Sequence, residues 1–191
     1  MQTPSSLPKT GETAPNSTIL DAQGNEIELR DQWESAQKAL ALIFVRHFGC
    51  QFCREHVATL KQKVSEFETR GIDILVIGNG TPARAAAFAT DMKTQFPVMT
   101  DPSGTTQQIY GLDTAPATAI LKPQELLGGA RALFKGFIPH RPQGDSQQLA
   151  GQFLIAPTGT ILLAERATMI SEILDPDHLL EAAQTINHAP A

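Results

Sequence analysis

The chain contains two cysteines, Cys50 and Cys53, separated by two residues. Thiols at that spacing can close a disulfide across one helical turn and reopen it, which is the chemistry of thiol–disulfide exchange. His47 and His56 extend the pattern, so that His47, Cys50, Cys53 and His56 follow one another at three-residue intervals. Such side chains also suit zinc. Structural zinc sites, however, usually join two ligand pairs across a longer loop. Four ligands within the ten residues 47–56 converge poorly on a tetrahedron if 51–56 is helical. Two ordinary buried thiols are a further reading, because free cysteine is among the most buried residue types.

The flanking sequence favours exchange chemistry. Residues 39–45 (ALALIFV) form a continuous apolar run, as expected of a central strand covered on both faces. After Arg46-His47-Phe48-Gly49 a helical pattern begins, in which Cys53, Val57, Leu60, Val64 and Phe67 recur at steps of three and four until Gly71. The cysteine pair therefore opens a helix. Unsatisfied N–H groups and the helix dipole stabilise a thiolate there. Cys53 lies in register with the apolar stripe and is expected to face the core. Cys50 precedes the stripe and is expected at an exposed mouth, as the attacking thiol, with Cys53 resolving. Arg46 and His47 are candidate supporting cations, set against a solvated loop as the alternative. His56 alone reads as a helix-surface residue.

Residues 72–77 form a second buried strand, and Thr81-Pro82 starts a helix reaching about Lys93. Strand, helix, strand, helix in this order implies parallel pairing with right-handed crossovers. Before this unit, 17–20 and 26–29 form a small hairpin and 31–37 a short helix. After it come a short strand at 96–99, a short helix at 105–110 and an irregular insertion, 113–148. The insertion carries a helix near 125–134, broken or kinked at Gly128-Gly129, and a loop at 139–142. Strands at 153–156 and 161–164 flank the turn Pro157-Thr158-Gly159-Thr160, and Asp175-Pro176 opens a last helix bearing Leu179, Ala183 and Ile186. The sum is an α/β, thioredoxin-like mixed central sheet sandwiched by helices, with an N-terminal hairpin and a helical insertion before the final β-hairpin. Residues 1–10 read as a flexible leader and 11–191 as a single domain.

With 191 residues, 41% of them hydrophobic, the chain can bury one sizeable core. A net charge of −5 argues against a nucleic-acid surface. No apolar run is long enough to span a bilayer. The polar N-terminus has neither a basic segment nor an apolar one of the secretory kind, so the expected compartment is a reducing cytoplasm, where a close cysteine pair is catalytic or metal-binding rather than a permanent staple.

Several short motifs, in order, resemble the AhpC/TSA peroxiredoxin superfamily: Gly11-Glu12-Thr13-Ala14-Pro15, then Asp21 and Gly24, Asp101-Pro102-Ser103-Gly104, Tyr110-Gly111, and Phe153-Leu154-Ile155-Ala156-Pro157-Thr158-Gly159. The branch with selenoprotein U-like members is similar in Cys53-Arg54-Glu55, in Ile77-Gly78-Asn79-Gly80, in Gly144-Asp145 and in Gln148-Leu149-Ala150-Gly151. The resemblance implies redox chemistry, but two departures qualify it. Peroxiredoxins resemble Pro-x-x-x-Thr-x-x-Cys at the peroxide site; in that register Cys53 is the peroxide-reactive thiol, Cys50 replaces the threonine and Arg46 the proline. The proline that faces the cysteines in thioredoxins is replaced by Gly151-Gln152, which makes Gln152 a candidate contact of the pair or of a substrate, or else a polar residue of the strand edge.

The expectation is thus an oxidoreductase cycling Cys50 and Cys53 between dithiol and disulfide, reducing disulfides, with peroxides as a second candidate substrate and no bound cofactor. Its partners would be a thiol reductant (glutathione or a thioredoxin system) and a disulfide or peroxide substrate, with no nucleic acid and no membrane; a homodimer is compatible with the sequence. The alternatives are a redox-sensing module without turnover and metal binding at His47, Cys50, Cys53 and His56.

Overall fold

Strand β3 (Ala39–His47) is buried along its whole length in the computed structural model, which describes residues 7–140 and 147–184. Its alternating side chains supply two separate cores. Ala39, Ala41, Ile43 and Val45 enter one, and Leu40, Leu42 and Phe44 the other. Parallel to β3 runs β4 (Ile72–Asn79), which pairs in parallel with β5 (Val98–Thr100). On its other side β3 pairs antiparallel with β6 (Gly151–Ile155), which turns back into β7 (Ile161–Arg166). A hairpin of β1 (Thr18–Leu20) and β2 (Glu26–Glu28) joins at β5, giving the order β2-β1-β5-β4-β3-β6-β7.

Helices cover both faces. On the first lie α2 (Gln51–Gln62), α3 (Val64–Thr69), α4 (Pro82–Met92) and α7 (Pro176–Gln184), contributing Val57, Leu60, Phe67, Phe88 and Leu179 to its core. On the second, α1 (Leu29–Glu34) buries Trp33, and Tyr110 follows α5 (Thr105–Ile109). The Tyr110 ring packs 5.1 Å from Phe44 and 4.9 Å from Phe153, centroid to centroid. This is the expected mixed sheet sandwiched by helices, with the expected N-terminal and final hairpins. No helix among the described residues is long and apolar enough to cross a membrane.

Details differ from the sequence reading. The long helix after the cysteines is two helices, divided at Lys63, whose φ of −109° and ψ of 3° depart from helical geometry. The stripe through Val57, Leu60, Val64 and Phe67 is nonetheless buried throughout. The first helix starts at Leu29, earlier than expected. Of the expected leader, residues 1–6 lie outside the described residues, as do Gly144-Asp145, the second half of the 139–142 loop and Ile186. Pro8 is buried, and its carbonyl accepts a hydrogen bond from Arg166 at 2.5 Å. Residues 11–14 run beside the start of β7: Gly11 N–H donates to Ile161 O, Ile161 N–H to Glu12 O and Ala14 N–H to Gly159 O, each at 2.8–2.9 Å.

The insertion helix α6 (Pro123–Phe134) is continuous, so the break expected at Gly128-Gly129 is absent. Gly128 instead permits close approach: a Cβ there would lie 2.4 Å from the Ser171 Cβ, whereas one at Gly129 would meet only the flexible Gln51 amide at 3.4 Å. Alanine removes the entropic cost of a mid-helix glycine, worth about 0.5–1 kcal/mol, but overpacking costs about 1–3 kcal/mol. Gly128→Ala should therefore lower the melting temperature and Gly129→Ala should leave it unchanged or raise it, a contrast that thermal denaturation of the two variants reads directly.

Candidate active site

The C-terminal end of β3 delivers Arg46 and His47, and a two-residue loop leads from there to Cys50, the N-cap of α2. Local bonds fix this turn. His47 O accepts Cys50 N–H at 3.1 Å, and His47 Nδ1 accepts Gly49 N–H at 3.2 Å. The accepting Nδ1 carries no proton, so His47 shapes the loop through its ring nitrogen. Phe48 packs its ring onto Gly78, where a Cβ would lie 2.7 Å from the ring carbons. Only glycine leaves room for that ring.

The sulfurs are held by different groups. Cys50 Sγ accepts the Cys53 N–H at 3.4 Å and lies 3.5 Å from Arg46 Nη1. Cys53 Sγ accepts the Arg46 backbone N–H at 3.2 Å. The Arg46 side chain also donates from Nε to Gln148 O at 2.8 Å. The Cys53 thiol donates to Cys50 and draws the Cys50 pKa down from 9.0 to about 6, against the opposing effect of burial and with help from the Arg46 cation and the N–H groups of Cys53 and Phe52. Burial, reinforced by the neighbouring Cys50, pushes the Cys53 thiol well above its usual range. One thiol is thus primed as a nucleophile and the other holds its proton.

The expectation that Cys50 sits at an exposed mouth is overturned. It is 5% exposed and Cys53 3%, so both are buried. The cover comes from the insertion: His140 N–H donates to Gly49 O at 3.0 Å, and Ala115, Ala119 and Ala132 join the core that contains both cysteines. Helix periodicity reports only the helix's own faces and cannot register a cap from a distant segment. Electrostatics, not exposure, distinguishes the two thiols.

His56 is likewise buried, not on the helix surface; it faces inward one turn beyond Cys53, and desolvation lowers its pKa to about 4 despite the field of Asp175. Gln152 is fully buried on β6, where its Nε2 donates to Glu165 Oε2 at 2.6 Å and Asp175 O at 2.9 Å. Among the described residues, no group of three or more His, Cys, Asp or Glu side chains converges as a metal-ligand set. The sequence reading missed Glu55, a buried carboxylate of α2 that pairs with Lys135 at 2.8 Å and Arg131 at 3.2 Å and ties the insertion to the cysteine helix. The charges of α6 alone gave no hint of their partner.

Alkylation of Cys50 by iodoacetamide should rise with a midpoint near pH 6, and Arg46→Met should move that midpoint up towards the value of a free thiol, about 8.5. A second pH effect follows from His56. The unfolded imidazole takes up its proton near 6.5 while the folded one resists until about 4, so stability should fall as pH drops through that interval. The slope would approach about 1.4 kcal/mol per pH unit. Urea denaturation of His56→Gln should show a flatter profile over the same range.

Known proteins place this architecture. The chain is 35% identical over 85 residues to thioredoxin-like protein AAED1, chloroplastic, of Arabidopsis thaliana, a match covering 44% of this chain and 34% of that protein. It is 24% identical over 117 residues to the thiol-disulfide oxidoreductase ResA of Bacillus subtilis, covering 60% and 62% respectively. The chain thus spans less than two thirds of the length of these curated relatives. In fold it is similar to the crystal structure of a peroxiredoxin-like protein from Aquifex aeolicus, with a TM-score of 0.68, 15% identity, and coverage of 95% of this chain and 89% of that one. The AhpC/TSA family profile matches residues 10–163, most of the chain and all of the strands that carry the cysteine site, and the protein belongs to that family.

Proposed function

We propose that the protein is a thiol–disulfide oxidoreductase in which Cys50 attacks and Cys53 resolves, acting in a reducing compartment such as the cytoplasm. The observation that carries this reading is the asymmetry of the pair's contacts: Cys50 Sγ, at the N-terminus of α2, accepts the Cys53 N–H and faces Arg46 Nη1, whereas Cys53 Sγ is buried on the Arg46 backbone N–H. The first set of contacts draws the Cys50 thiol down, and burial leaves Cys53 raised. The Cys50 thiolate attacks one sulfur of a substrate disulfide, the other sulfur leaves as a thiolate, and a mixed disulfide forms on Cys50. That step removes the negative charge that had helped to keep Cys53 protonated. Cys53 then loses its proton more readily, attacks Cys50 Sγ and expels the second substrate thiolate. The enzyme disulfide is returned to the dithiol by a thiol reductant, glutathione or a thioredoxin system.

Burial of both sulfurs beneath the insertion favours small reactants, and with the family membership this supports peroxide as a second substrate class. The same Cys50 thiolate would then attack one peroxide oxygen, forming the S–O bond of a sulfenic acid while the other oxygen leaves and takes up a proton as alcohol or water. Cys53 then attacks Cys50 Sγ, and water is lost as the disulfide closes. Arg46 serves either reaction by stabilising the Cys50 thiolate, whereas His47 and Gln152 position backbone and neighbouring strands.

Paired variants test the assignment. Cys53→Ser should accumulate mixed disulfides on Cys50, and Cys50→Ser should be inert to disulfide and peroxide; mass spectrometry after an acid quench distinguishes them. Mixed disulfides on Cys53 in the Cys50→Ser variant would reverse the roles, and full turnover in both variants would end the redox reading.

A further inference from the structure

Beside the cysteine loop lies an open cavity of about 190 Å³ that the chemistry above leaves unused. Its apolar wall is Phe48 and Phe88, whose ring centroids are 5.3 Å apart. Its polar groups are Arg54, Arg84, Asp91 and His140. Arg54 forms an ion pair with Asp91, and its guanidinium sits 5.8 Å over the Phe88 ring, so that cation is already compensated. Arg84 is not: it is exposed, and its side chain has no hydrogen bond or ion pair among the described residues. With the imidazole of His140 beside it, Arg84 makes a locally positive recess on a chain whose net charge is −5.

The recess adjoins the loop and helix start that carry Cys50. Phe48 lies two residues before Cys50. Arg54 N–H donates to Cys50 O at 3.1 Å, which places Arg54 one helical turn from the thiol on the same side of α2. His140 is the residue whose N–H binds Gly49 O, so the recess also borders the segment that covers Cys50.

The geometry points to a binding subsite for the carboxylate of a small anionic thiol, with Arg84 as the anchoring cation at the mouth of a recess that the buried Phe48 and Phe88 rings back. This rests on the thiol–disulfide reading and selects, between the two reductant classes, the low-molecular-weight carboxylate-bearing thiol over a protein. Held there, the thiol's thiolate attacks Cys50 Sγ of the enzyme disulfide. The Cys50–Cys53 bond breaks, Cys53 leaves as a thiolate and takes up a proton, and a mixed disulfide remains on Cys50. A second thiolate attacks the ligand sulfur of that mixed disulfide, releasing the oxidised ligand as its own disulfide and Cys50 as the thiolate.

The test uses the full chain, oxidised, with glutathione as the anionic probe and dithiothreitol as the uncharged one; free thiols are counted by alkylation after an acid quench. The ratio of the glutathione rate to the dithiothreitol rate should fall about fivefold in Arg84→Gln and further in Arg84→Glu, as expected for loss and reversal of one partly exposed charge contact. The wild-type ratio should also fall with added salt. Ratios in both variants equal to that of the wild type would overturn the subsite. If dithiothreitol does not reduce a Cys50–Cys53 disulfide in the wild type, the thiol–disulfide reading itself fails, a result separable from the first.

Discussion

The guanidinium of Arg46 is the contact on which both the chemistry and the architecture of the site depend. Its Nη1 faces Cys50 Sγ and its Nε binds Gln148 O, while its own backbone N–H serves Cys53 Sγ. Gln148 in turn donates through Nε2 to the carbonyls of Leu112 and Asp113, each at 3.2 Å, so it closes the two ends of the insertion on each other. One buried cation thus stabilises the reactive thiolate and moors the segment that covers it. Arginine suits this double task, since its fixed fork of donors stays charged when buried.

Covering a thiolate conflicts with letting it react. An ion in an apolar surrounding is costly unless donors replace the lost water, and here the Cys53 thiol, the Cys53 N–H and Arg46 do so. A substrate must still reach the sulfur. The outer anchors of α6 are suited to release: Glu55 is buried, but Lys135 and Arg131 reach it from exposed positions where ion pairs contribute modestly. The helix also presents Leu126, Leu127, Leu133 and a 93% exposed Phe134 to solvent, so much of its apolar surface contributes nothing to holding it closed. Elements with few buried contacts are the ones that open locally.

Much of this was legible in the sequence because it is local. The apolar run of β3, the stripe of α2 and the turn at 157–160 each carry a period or turn chemistry that one segment reveals. The helix-opening position of Cys50 was legible for the same reason. What escaped depends on partners remote in sequence: the insertion over Cys50, the inward face of His56, the ion pairs of Glu55. Gly128 is instructive, because the residue type correctly marked an unusual place. The expected cause, a broken helix, was replaced by contact with Ser171, which no local pattern encodes.

The sheet ends in two edge strands, and they are protected in different ways. At one end β2 is three residues long and carries Glu26 and Glu28, too short and too charged to recruit another strand. At the other, residues 11–14 lie against the start of the edge strand β7, with the Pro8 carbonyl held on Arg166 beyond. This segment acts as a selvage, the bound edge that keeps a fabric from unravelling. Peeled away, it would expose Ile161 and its neighbours to a β-strand of another molecule. The early motif Gly11-Glu12-Thr13-Ala14-Pro15 therefore borders the edge of the sheet far from its N-terminal hairpin.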